Sequence, residues 1–252
     1  MISRAQLTAY LHDLLACDNF TDYAPNGLQV EGRETIRSIA TAVSASESVI
    51  DTSASMQVDA LLVHHGYFWK GENPVITGMK RSRINKLLRD DINLFAYHLP
   101  LDCHPTLGNN ACLGKLFGLQ SIASHKVEKT PDLLWSGFLD DSKSAADISH
   151  FLTTKLQRTP LHIAGNDKPI KYIAWCSGGA QDFIENAHAL GADAYISGEI
   201  SERTYYQARE LGIHYFSCGH HATERLGIQA LGKHLASHFG LEHHFIDTDN
   251  PV

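Results

Sequence analysis

Five side chains in this sequence have the types and spacing to hold a metal ion. Two are adjacent histidines, His64 and His65, which close the apolar run Asp59-Ala60-Leu61-Leu62-Val63. The third is Asp102, just past Leu99-Pro100-Leu101. The last two, His220 and Glu224, stand four apart in Gly219-His220-His221-Ala222-Thr223-Glu224-Arg225. On a helix that spacing sets one above the other on one face. Singly, each cluster has an ordinary explanation: a core and a surface histidine, a turn aspartate, a solvated His/Glu pair. Together, three imidazoles and two carboxylates suit a divalent transition metal such as zinc, manganese, iron, cobalt or nickel. The set is too rich in nitrogen for calcium. It also exceeds what one four-coordinate zinc with an open position needs. Two ions ~3.5–4 Å apart, bridged by Asp102 or Glu224, would use all five, and would lower the pKa of a bound water toward ~7. That chemistry is hydrolysis.

Positioning these groups falls to strand ends. Ala60 to Val63 is short and uninterrupted, as in a parallel strand buried on both faces. His64 and His65 then lie at its C-terminal end, where ligands of open α/β sheets gather. Neighbours on a regular strand point to opposite faces, so both can serve one site only if the strand ends or bends there. Gly66 fits such a bend. Asp102 follows a strand read over 92–98, and His220 follows one over 213–218. In a doubly wound sheet these ends share one edge.

The remaining elements follow from periodicity. Ser3 to Gln6 forms a capping box for a helix over about 4–16. A strand over 36–43 leads to a helix over 44–56, and a basic helix covers 80–89. The middle section reads as a strand over 133–139, a helix over 145–157 and a short strand over 160–163, a scaffold or an oligomer contact. The pattern then repeats. Ile173-Ala174 matches Ile39-Ala40, Phe183-Ile184 matches Val49-Ile50, and Asp193-Ala194 matches Asp59-Ala60, all at one offset of 134 residues. An internal duplication of an α/β unit is expected, as one integrated unit in two halves of roughly 1–125 and 126–252. The copies differ in chemistry: where the first has His64-His65, the second has Gly198-Glu199. A helix over 201–211 and a long one from Gly219 follow, and a strand over 243–246 closes the chain.

Composition bounds the function. The chain has 252 residues, 43% of them hydrophobic, and a formal net charge of −7. That balance argues against a polymeric nucleic-acid partner but admits a nucleotide held by a metal. Five cysteines without a CxxC pair fit free thiols in a reducing cytoplasm. No apolar run approaches the ~18 residues of a membrane span, and the start of the chain leads into an amphipathic pattern rather than a signal peptide. Sixteen histidines against three methionines add weight to a metalloprotein.

Other groups have weaker claims. His98, four residues before Asp102, could be a general acid or base, a group orienting a ligand, or a packed strand-end histidine. Tyr67 and Lys70 follow His65 and could touch an anionic substrate or simply face solvent. Cys176-Ser177-Gly178-Gly179 could seat a phosphate, though a tight strand-to-helix connection explains it better. Asp59 and Asp193 read as turn residues of the repeat.

The motifs DYAPNGLQVEG (22–32), DALLVHHGYFWKG (59–71), YHLPLDCHPTLGNN (97–110), ISGEISE (196–202) and GHHATER (219–225) resemble those of the GTP cyclohydrolase I type 2 family, also called the NIF-three-like family. They span almost the whole chain in family order, as in the short bacterial form. The resemblance implies a dinuclear metal centre whose ligands carry over onto His64, His65, Asp102, His220 and Glu224. It implies an α/β fold of two similar, interlocked halves, with mostly parallel or mixed sheets flanked by helices. It also implies a ring-shaped homohexamer enclosing the metal sites. The family name implies opening of the GTP imidazole ring with release of formate. A dinuclear phosphodiesterase, nucleotidase or peptidase would use the same centre, and a non-catalytic scaffold or metallochaperone would use its ligands without its water.

Overall fold

A computed structural model describes residues 1–252. Along the chain, β1 (Ile2–Ser3) leads into α1 (Arg4–Leu14), and β2 (Gly27–Val30), β3 (Thr35–Ile36) and β4 (Ser38–Ser44) precede α2 (Glu47–Ser55). Next come β5 (Ala60–His65), α3 (Gly78–Arg89), β6 (Asn93–Ala96), α4 (Leu99–Cys103), α5 (Asn109–Phe117), β7 (Gln120–Val127) and β8 (Thr130–Lys143). Then follow α6 (Ala145–Leu156), β9 (Leu161–Ile163), β10 (Ile170–Trp175), α7 (Ile184–Ala189), β11 (Ala194–Ser197) and α8 (Glu202–Leu211). The chain closes with β12 (His214–Ser217), α9 (His220–Phe239) and β13 (Glu242–Phe245). This is a mixed α/β fold, as expected. No helix is long and apolar enough to cross a membrane.

The chain forms two compact units. One comprises Met1–Leu101 and Gly227–Asp249, the other Asp102–Leu226 and Asn250–Val252. The boundaries fall inside α4 and α9 rather than near residue 125. Strand pairing explains the difference: β13 joins the first unit by pairing with β4, and β7 joins the second by pairing with β8.

In the first unit a five-stranded sheet runs β13-β4-β5-β6-β2, parallel except for β2. Ala60 to Val63 of β5 are fully buried, as a central parallel strand between two neighbours requires. Ser3 and Gln6 close the expected capping box on α1, and Ser46 caps α2. In the second unit a six-stranded sheet runs β7-β8-β10-β11-β12-β9, with β10, β11 and β12 parallel. A capping box of Ser144 and Asp147 opens α6.

The duplication is visible bond by bond. Ile39 faces Ala60 in the first sheet, and Ile173 faces Ala194 in the second. Asp59 Oδ2 accepts from the Arg37 and Ser38 N–H groups at 2.7 and 3.0 Å. Asp193 Oδ2 accepts from the Lys171 and Tyr172 N–H groups, both at 2.9 Å. Both aspartates thus tie the start of one strand to the next, which is the turn role read from the sequence.

Candidate metal centre

In the first unit the C-terminal ends of β4, β5 and β6 lie on one edge, and they deliver Ser44, His65 and, two residues past β6, His98. The strand does end at the histidine pair. The rings of His64 and His65 lie 4.6 Å apart instead of on opposite faces. Gly66 permits this: a Cβ there would collide with the Gln29 side chain and lie 2.6 Å from Ala96 Cβ. One ring nitrogen from each of His64, His65 and His98 lies within 4.8 Å of the others, a group that could hold a metal ion.

Each ring is anchored from behind. His64 Nδ1 donates to the Tyr97 carbonyl at 2.9 Å. His65 Nδ1 meets Ser44 Oγ at 3.1 Å, and His98 Nδ1 donates to Asp22 Oδ1 at 2.7 Å. A carbonyl or carboxylate can only accept, so His64 and His98 each carry a proton on Nδ1. Histidine ligands of metals are held in this way. Burial works against the charge of Asp22, but hydrogen bonds from His98, Asn26 and the Tyr23 N–H, with the charge of His98, hold its carboxyl below the usual range.

In the second unit the turn Cys176-Ser177-Gly178 organises the other three residues. Ser177 Oγ donates to Asp102 Oδ1 at 3.1 Å, and Asn109 Nδ2 donates to the same oxygen at 2.9 Å. The Cys176 thiol is pushed well up, first by burial and then by the charges of Asp102 and Glu224. Gly178 has φ +66°, and a Cβ there would collide with Glu224 Oε1 and lie 3.2 Å from His220 Nε2. The absent side chain leaves that space to the donor atoms. The turn's N–H groups are spent on Asn110 and Thr223, so it serves as a connection and not as a phosphate seat.

His220 opens α9 with Glu224 one turn on, and Nε2 lies 3.1 Å from Glu224 Oε1. Its Nδ1 lies 2.6 Å from Glu199 Oε1. Burial lowers the His220 pKa, but Glu224 and then Glu199 outweigh it and push it up to about 9. This corner of the unit therefore favours a positive charge at Nε2, and in the metal-free chain a proton supplies it. The imidazole and carboxylate donors, with Nδ1 already engaged, fit a divalent transition metal.

A pH dependence follows for the metal-free protein. A histidine raised from 6.5 to about 9 stabilises the fold fully below pH 6.5, and that contribution is lost as pH rises through 9. Melting of chelator-treated protein between pH 6.5 and 9.5 is expected to show a falling Tm. His220→Asn should flatten that slope. An equal slope in the variant would remove His220 as its source.

The structure groups His64, His65 and His98 in one unit, and His220 and Glu224, with Asp102, around one turn of the other. It places Tyr67 differently from its neighbours. The ring is buried and its hydroxyl donates to the Ala45 carbonyl at 2.6 Å, a core position. Lys70 is exposed. Glu199, Asp22 and Ser44 support the histidines and were missed from the sequence. Glu199 had a signal, since it occupies the position of His65 in the second copy.

The model of the DUF34/NIF3 family (NGG1p interacting factor 3) matches residues 2–251. A Vibrio cholerae protein named GTP cyclohydrolase 1 type 2 homolog is 50% identical, with 100% of each chain covered. A solved structure described as protein ybgI, of unknown function, superposes with a TM-score of 0.95 at 44% identity, covering 100% of both chains. Thermus thermophilus TTHA1606 follows with a TM-score of 0.88 at 30% identity over 100% of both chains.

Proposed function

Because the chain belongs to the DUF34/NIF3 family, we propose that it is a metal-dependent hydrolase of small nucleotide-like molecules. His64, His65, Asp102, His220 and Glu224 would hold two divalent transition-metal ions. One observation carries the reading: His64 and His65 at the end of β5, and His220 just past β12, are each engaged at Nδ1 by an acceptor-capable group, which fixes the orientation of each ring as a metal ligand requires. Among these proposed ligands the first unit carries the imidazoles of His64 and His65, and the second carries the imidazole of His220 and the carboxylates of Asp102 and Glu224.

When bound, two such ions would supply Lewis acidity and a water ionisable near neutral pH. The chain's residues do the rest. Asp102 is oriented by Ser177 and Asn109 before any ligand arrives. His98, with a proton held on Nδ1 by Asp22, would in its neutral form offer Nε2 to take a proton from water and return it to the leaving group. Lys70, exposed five residues past His65, is the cation for a phosphate. The relatives' name makes the imidazole ring of GTP the first substrate to try.

The test is metal content and product on one sample. Two ions per chain with formate release from GTP would support ring opening. Release of inorganic phosphate would turn the reading to a phosphoester. Asp102→Asn is expected to lower metal content while leaving melting behaviour close to wild type, and full metal content in that variant would remove Asp102 from the ligand set. The same reading carries a ring-shaped homohexamer as the working assembly, checked by a solution mass near six times 27.8 kDa.

A further inference from the structure

The ring of Trp69 flanks two of the imidazoles in the first unit. Its centroid lies 5.9 Å from that of His65 and 5.1 Å from that of His98, nearly perpendicular to the latter. Tyr23 meets the same His98 ring edge to face at 6.2 Å, yet is 62% exposed. Neither ring belongs to the hydrophobic core of this unit. Both are nonetheless fixed in place. The Lys70 N–H donates to the Tyr23 carbonyl at 2.6 Å, joining the two loops. The Trp69 N–H donates to Glu72 Oε2 at 3.1 Å, and its indole Nε1 to the Gly66 carbonyl at 3.2 Å. Phe68, between Tyr67 and Trp69, is held at φ +65°, a conformation that a bulky residue adopts only when its surroundings impose it.

The indole's only donor is thus spent inside the loop. What Trp69 has left to offer a ligand is its π face. Rigid, partly exposed aromatic faces beside a reactive centre suit flat heterocycles, which stack regardless of their hydrogen-bonding edges. We propose that Trp69, with Tyr23 beside it, is the stacking platform for a purine-sized heteroaromatic base on the substrate. This rests on the reading of His65 and His98 as part of a hydrolytic site, and it narrows the substrate to molecules carrying such a base. A peptide or a simple phosphate ester would leave both rings unused.

The experiment is a binding titration of the metal-loaded protein with guanosine, GMP, AMP and ribose 5-phosphate, read by tryptophan fluorescence and by calorimetry. Of the three tryptophans, Trp135 and Trp175 are buried, so quenching by a ligand reports Trp69. The base-bearing probes should bind and quench, and ribose 5-phosphate should not quench. Trp69→Leu should weaken the base-bearing probes by about 10-fold or more, Trp69→Phe should retain most of the affinity, and Tyr23→Ala should cost a few-fold. Metal content in all three variants should match wild type. Equal affinity in Trp69→Leu, or no quenching by any base-bearing probe in protein carrying its full metal, would overturn the platform and leave the metal-dependent hydrolase standing. A wild-type chain that binds bases but takes up no metal would overturn the hydrolase and leave the platform.

Discussion

Glu224→Gln is expected to lower metal affinity by more than about 100-fold, beyond the ~10–100-fold typical of groups that only support a ligand. The side chain is 2% exposed and lies 3.1 Å from His220 Nε2, so its charge acts at short range with little screening. Glutamine keeps the shape against Gly178 and removes the charge. It also sets an amide where an anionic oxygen faced the donor atoms. The effect has an independent readout in the metal-free protein. Burial lowers the His220 pKa and the two glutamates raise it, with Glu224 the larger contributor. Without Glu224 the titration of His220 should move down from about 9 toward the ordinary range. Chelator competition gives the affinity, and histidine NMR gives the titration. A variant with wild-type metal affinity would remove Glu224 from the ligand set, and an unmoved titration would contradict the electrostatic account of His220.

Much of this arrangement is written locally. The apolar run Ala60 to Val63 with a glycine after two histidines is a strand end in sequence and in structure. The offset of 134 residues finds both aspartates that tie successive strands together. What escaped is what depends on distant partners. Periodicity marks no element over α5 or β7; β7 is exposed along most of its length, and pairing with β8 forms it. Glu199 reads as the copy that lost a ligand, whereas its carboxylate holds His220 across 21 residues. Tyr67 and Trp69 are separated by two residues in one motif, and types alone do not distinguish them. Only the fold sends Tyr67 to the Ala45 carbonyl and sets Trp69 against the imidazoles.

Asp22→Asn tests the most consequential of those distant supports. The Asp22 side chain is 3% exposed and accepts four hydrogen bonds: from His98 Nδ1 at 2.7 Å, the Tyr23 N–H at 2.6 Å, and Asn26 Nδ2 and the Leu99 N–H, both at 2.9 Å. Asparagine can accept at only one of its two positions. Either His98 loses its acceptor or the Leu99 and Asn26 bonds are lost, at a cost of about 1–3 kcal/mol for each buried group left unpaired. If the amide nitrogen turns toward His98, the ring must carry its proton on Nε2 and can no longer take one there. A proton-transfer role is worth about 10²–10⁴-fold. The expected result is a fall in kcat of at least 10²-fold on the substrate identified by the product screen, with metal content within twofold of wild type and a lower Tm. His98→Ala should fall by a similar factor, and the double variant by little more, because the two residues act as one unit. Metal content decides the remaining question. His98 shares its ring-nitrogen cluster with His64 and His65, so a ligand role predicts that His98→Ala loses metal along with activity. A proton-carrying role predicts lost turnover in a fully loaded protein. An Asp22→Asn variant with wild-type kcat would end both accounts of the pair.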